Sequence, residues 1–132
     1  MSKENVEIVR RAYEAANRGD LDSANLHVHR EIEFHTYAQS PEAGVYRCKE
    51  AVQRYNQGLF ERFESIRFEI EELVDAGDRV VVVSTQHAQP KGGQEEMNVR
   101  VIEVWTIRGG LLAERRYYST KDEALEAAGL RE

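Results

Sequence analysis

Four residues able to move or stabilise protons, His87, Glu103, Arg115 and Tyr117, fall on stretches whose apolar alternation reads as β-strand. Successive strand side chains point to opposite faces, so each stretch sorts into two rows. One register of 79–88 groups Val81, Val83, Thr85 and His87, the row on 98–108 holds Val99, Val101, Glu103 and Trp105, and that on 111–119 holds Ala113, Arg115, Tyr117 and Ser119. If the three rows face one space, His87 or Glu103 is placed to accept a proton while Tyr117 or Arg115 polarises a carbonyl oxygen. The same cluster can serve as a structural lock, because buried titratable groups are costly unless they pair. An adjacent arginine holds Glu103 ionised, whereas a wall of Trp105 and valines raises its pKa.

Other reactive residue types carry less. On a helix His27 and His29 stand about 200° apart and cannot share an ion, and His35 adds no ligand spacing, so no metal and no cofactor are expected. Cys48 is the single cysteine, which excludes an internal disulfide and a multi-cysteine metal site and reads as an inert thiol. Lys91-Gly92-Gly93 lacks Walker spacing, and Arg115-Arg116 is too short a basic run to hold a polyanion. Eighteen Lys and Arg against 24 Asp and Glu, a net charge of −6, oppose binding to nucleic acid or an anionic membrane. A polar start, Met1 to Asn5, and the absence of any long apolar run make a cytoplasmic location the expectation.

The 132 residues suit one domain, 1–132. Val6, Val9, Ala12, Tyr13 and Ala16 recur at helical spacing over Asn5 to Arg18, and Gly19 stops that helix. Asp20 caps a second helix expected to run to about His29. Ile32 and Phe34 alternate with Glu33 and His35 as a strand, a loop follows from Tyr37 to Gly44, and Lys49 to Phe63 returns to helical period. Four strands are then expected, Ile66 to Asp75, Arg79 to about Gln89, Asn98 to Arg108 and Leu111 to Ser119, paired antiparallel through Ala76-Gly77-Asp78 and Gly109-Gly110. Thr120 and Glu123 form a capping-box pattern for a last helix through Ala128. Helices first and strands afterwards make an α+β fold in which helices cover a curved antiparallel sheet.

Asn5 to Ala15, Asn17-Arg18-Gly19-Asp20-Leu21-Asp22, Val45-Tyr46-Arg47, Lys49-Glu50-Ala51-Val52, Gly77 to Val82, Val104 to Ile107 and Glu123 to Leu130 together resemble the SnoaL-like branch of the nuclear transport factor 2-like superfamily. The resemblance covers nearly the whole chain in order. It implies a cone of curved sheet closed by three helices, a cystatin-like α+β barrel with a blind apolar pocket, and commonly a homodimer through the outer sheet face. The superfamily includes ketosteroid isomerases, polyketide cyclases, limonene epoxide hydrolases, scytalone dehydratases and non-enzymatic binding domains, so fold follows from it more firmly than function.

Carried over by position, the isomerase tyrosine falls on Ala12, with Tyr13 one step around the helix, its base on Thr36 and its oxyanion acid on Glu103. The epoxide hydrolase residues fall on Thr85, His87 and Tyr117, and the cyclase acid also falls on Tyr117; none matches in type. The family comparison makes Val81, Val83, Thr85 and His87 the inner row. Substrate contacts are then expected from Tyr13, Phe34, Thr36, Tyr55, Asn56, Phe60, Thr85, Val101 and Trp105, although an aromatic stripe such as that of the third helix is more often plain core and Asn56 equally suits an exposed surface. Cys48 stands where relatives have glycine. Val80 to Val83 is apolar on both faces, which a homodimer across the outer sheet face explains. The expected activity is cofactor-free isomerase, cyclase or dehydratase chemistry on a small apolar carbonyl or hydroxy compound. A non-catalytic binding or structural domain, and an epoxide hydrolase with rearranged residues, are the alternatives.

Overall fold

A computed structural model of the chain describes residues 2–36, 44–93 and 95–130. The loop expected at Tyr37 to Gly44 lies, up to residue 43, outside them. Helix α1 (Ser2–Asn17) buries Val9, Tyr13 and Ala15 and stops at Gly19, whose positive φ of 77° turns the chain out of the helix. Asp20 caps α2 (Leu21–Ala24) by accepting from the Ser23 amide at 3.1 Å. That helix ends far short of His29. Strand β1 (Val28–His35) claims the following residues, and its parallel ladder with β6 opens on a 2.7 Å bond from the Leu112 amide to the His27 carbonyl. His29 therefore belongs to a strand.

Strand β2 (Val45–Arg47) pairs antiparallel with β1, and α3 (Lys49–Arg62) follows close to its expected limits. The strands β3 (Phe63–Ala76), β4 (Arg79–Pro90), β5 (Met97–Arg108) and β6 (Leu111–Tyr118) form an antiparallel meander. The open six-stranded sheet has the order β2-β1-β6-β5-β4-β3, leaving β2 and β3 at its edges. Between the sheet's inner face and helices α1 and α3 lies the main core, built on Val9, Ile32, Val52, Val80, Val82 and Leu112.

The outer face has its own cover. Helix α4 (Lys121–Ala127), with the capping box of Thr120 and Glu123 in place, lays Ala124, Leu125 and Ala128 against Val81, Val83, Ile102 and Val104. The doubly apolar run Val80 to Val83 is thus explained within one chain, and it does not by itself call for a second copy.

Cys48 precedes α3 at φ 128° and ψ 153°, the one non-glycine residue with positive φ among the described residues. This region is nearly exclusive to glycine because a Cβ clashes there, at a cost of about 1–3 kcal/mol. Replacing Cys48 with glycine should therefore stabilise the fold by about 1 kcal/mol after the added freedom of the unfolded chain is offset. A urea midpoint that fails to rise would show that the thiol's packing outweighs the backbone strain.

Candidate active site

Strand pairing assembles the site. Glu103 on β5 stands opposite Val82 of β4 on one side and Tyr117 of β6 on the other, and one step along, Trp105 stands between Val80 and Arg115. Phe34 of β1 adjoins Arg115. From α1, the Tyr13 hydroxyl donates to Glu103 Oε1 and accepts from the Trp105 indole N–H at 3.1 Å. Arg115 Nη1 lies 3.4 Å from Glu103 Oε2, an ion-pair contact, while Nη2 donates to the His35 carbonyl at 3.3 Å. The guanidinium sits over aromatic faces, 3.5 Å from the Phe34 ring centroid and 4.7 Å from that of Tyr117.

These groups border a cavity of about 80 Å³. Its remaining walls are largely apolar, with Phe60 and Phe68 prominent, and Asn56 stands beside Asn25 at 3.4 Å. Glu103 is only 2% exposed. Burial pushes its pKa above the ordinary carboxylate value, and Arg115 and the hydroxyls of Tyr13 and Tyr117 pull against that rise without cancelling it. Burial and the Glu103 charge raise Tyr13 and Tyr117, so both stay hydroxyl donors. Arg115 is disfavoured as a cation by burial, but the Glu103 carboxylate beside it favours the charge, and it stays protonated. The result is a carboxyl group able to hold or release a proton inside an apolar space, beside fixed hydrogen-bond donors.

Of the expected residues, Glu103, Arg115 and Tyr117 converge on the cavity, as do Tyr13, Phe34, Asn56, Phe60, Val101 and Trp105. His87 and Thr85 do not. They lie on the outer face, because the inner row of β4 is Val80, Val82, Ser84 and Gln86, the residues paired with Trp105, Glu103, Val101 and Val99. Thr36 is buried with its hydroxyl bonded to the Gly44 backbone at 2.8 and 3.1 Å, so it is not a free base or contact. Tyr55 packs behind the cavity against Tyr46 and Phe34, with ring centroids 4.9 and 5.7 Å away. Ser84, Gln86 and Phe68 line the space unforeseen. The polar Ser84 and Gln86, set in line with Val80 and Val82, were the available signal.

On the outer face His87 Nε2 meets Glu69 at 2.8 Å, and Nδ1 meets the Asn98 side chain with Glu96 at 3.5 Å. Hydrogen bonds to Glu69 and Asn98 raise the His87 pKa above its ordinary 6.5, and the bond to His87 lowers that of Glu69 below its ordinary 4.5. The charged pair therefore contributes fully from pH 4.5 to 6.5, and that contribution is lost as pH rises through the raised His87 value or falls through the depressed Glu69 value. His87→Ala should remove this pH dependence from urea midpoints while the parent declines above pH 6.5. Parallel profiles would refute the pairing.

Glu33, His35 and Glu114 also bring ligand atoms within 4.8 Å of one another. Arg116 already meets both carboxylates at 3.2 Å, supplying the positive charge there. No helix among the described residues is long and apolar enough to cross a membrane.

Comparison with solved structures places the fold among nuclear transport factor 2-like proteins. A protein from a soil-derived mobile gene cassette is 21% identical, with 96% of each chain covered and a TM-score of 0.81. An NTF2-like protein of Burkholderia thailandensis is 26% identical over 94% of this chain and 95% of its own, with a TM-score of 0.77. A protein of Catenulispora acidiphila with a ketosteroid isomerase-like fold, solved in complex with trimethylamine, is 17% identical over 95% and 94%, with a TM-score of 0.75. The search of curated proteins finds no match. The sequence profile of the SnoaL-like domain matches residues 9–115, and with the fold and cavity in agreement the chain belongs to the SnoaL-like domain family.

Proposed function

We propose that the protein catalyses proton transfer on a small, mostly apolar carbonyl or hydroxy compound, as an isomerase, cyclase or dehydratase acting in the cytoplasm. The observation that carries this reading is Glu103, buried in an apolar cavity with its pKa raised and its carboxyl held by Tyr13 and Arg115. Glu103 moves the proton, Tyr117 and Arg115 polarise the ligand oxygen, and Tyr13 orients the carboxyl. The groups present can perform this chemistry without a cofactor. His87 has no part in it. Epoxide opening finds less support, since two of its three positions, Thr85 and His87, face outward.

A second reading is favoured by the mutual pairing of Tyr13, Glu103 and Arg115: a binding domain whose polar cluster stabilises the sheet. Exchange of α-carbon hydrogens of small ketones and enones in deuterated water, followed by nuclear magnetic resonance, separates the two. Turnover that disappears in Glu103→Gln supports the enzyme, and binding without exchange in the parent supports the binding domain. A homodimer remains our expectation for the assembly, to be read from sedimentation.

A further inference from the structure

Ser84 occupies the inner row of β4 between Val82 and Gln86, with Ile70 opposite on β3 and Val101 opposite on β5. It is 1% exposed, borders the cavity, and its Oγ has no hydrogen-bond partner among the described residues. Such a position is filled at no polar cost by alanine or valine, whereas an unpaired buried hydroxyl is unfavourable. A partner from inside the cavity removes that penalty.

We infer that Ser84 is a second anchor for the ligand, so that the cavity takes a flat compound bearing two oxygen functions about one six-membered ring apart. This rests on the reading of Glu103 as the reactive end. Glu103 is the diagonal cross-strand neighbour of Ser84, two residues beyond Val101, which sets the two side-chain bases roughly 7–8 Å apart. One oxygen meets the Glu103 and Tyr117 end while the other meets Ser84. The hydroxyl of Ser84 both donates and accepts, so the second function can be a hydroxyl or a carbonyl. Phe60 and Phe68, with ring centroids 6.3 Å apart, supply aromatic wall suited to a planar ring.

The test compares two probes of nearly equal shape, para-hydroxybenzyl alcohol and para-ethylphenol, titrated into the parent, Ser84→Ala and Glu103→Gln and read by Trp105 fluorescence. A phenol carries the flat ring and hydrogen-bonding oxygen of an enol, so its hydroxyl suits the Glu103 end. Ser84→Ala should weaken the benzyl alcohol by about tenfold and change para-ethylphenol by less than about twofold, whereas Glu103→Gln should weaken both. Thermal melts confirm that each variant is folded, and losing one oxygen from Ser84 leaves the wall packed. If Ser84→Ala treats the two probes alike while Glu103→Gln weakens both, the second anchor is overturned and the Glu103 reading stands. If neither probe binds the parent, or Glu103→Gln affects neither, that reading falls and the anchor falls with it.

Discussion

Arg115→Met is expected to destabilise the protein by about 3–5 kcal/mol at pH 8, because it leaves the Glu103 carboxylate buried without its cation. The methionine keeps an apolar stem against Phe34, so most of the effect is electrostatic. The pH dependence carries the diagnosis. Arg115 lowers a Glu103 pKa that burial raises, so its removal raises that pKa further. A folded-state pKa above the unfolded value means the native state binds the extra proton, so stability falls as pH climbs from the ordinary carboxylate value to the raised one and stays low beyond it. The variant should therefore be most stable in acid and progressively weaker toward pH 8. Adding Glu103→Gln should recover much of the loss, since the unpaired charge is then gone. Urea denaturation at several pH values decides, and a single variant as stable as the parent at pH 8 would mean that the buried ion pair does not form.

Glu103→Gln should reduce turnover by about 10²–10⁴-fold, the usual worth of a positioned acid or base, in an assay of hydrogen exchange on small ketones. The amide keeps the shape of the carboxyl and its bond to Tyr13 but cannot exchange the proton. Tyr13→Phe gives the sharper reading. Its hydroxyl lowers the Glu103 pKa, so its removal should move the Glu103-dependent limb of the pH-rate profile upward while protein remains folded. An unmoved limb would detach Tyr13 from the titrating group. Undiminished exchange in Glu103→Gln would remove Glu103 as the group that moves the proton.

Most elements could be read from sequence because their signals were local: Thr120 with Glu123 for the last helix, Gly109-Gly110 for a turn, and helical period for Lys49 to Phe63, of which only Phe63 belongs to the next strand. The wall of the cavity on β4 could not. Val80 to Val83 is apolar at every position, which silences alternation where it was needed. Pairing β3 with β4 directly from the Ala76–Arg79 turn would set His87 opposite Phe68 and Thr85 opposite Ile70, on the apolar side. A bulge between Ile70 and Glu72 shifts the ladder by one residue and delivers Gln86 and Ser84 to those places instead. Glu103 is reached through the family's oxyanion position, and Arg115 and Tyr117 through the two-residue period of β6, which sets them opposite Trp105 and Glu103. Tyr13 was harder to assign, since its role depends on how α1 rotates against the sheet, which the family's position at Ala12 left one step away.

Asn17, at the end of α1, bonds both the amide of Phe68, at 2.7 Å, and its carbonyl, at 2.9 Å, on the free edge of β3. Asn5, near the other end, holds the Gly77 carbonyl at 2.9 Å. The helix that carries Tyr13 is thus moored at two points along the β3–β4 hairpin. The Phe68 amide has a helix side chain, not a strand, as its acceptor, so its rate of exchange with solvent deuterium reports each excursion in which α1 lifts away. At that one backbone position, the fraction of molecules with Tyr13 withdrawn from Glu103 becomes a measurable population.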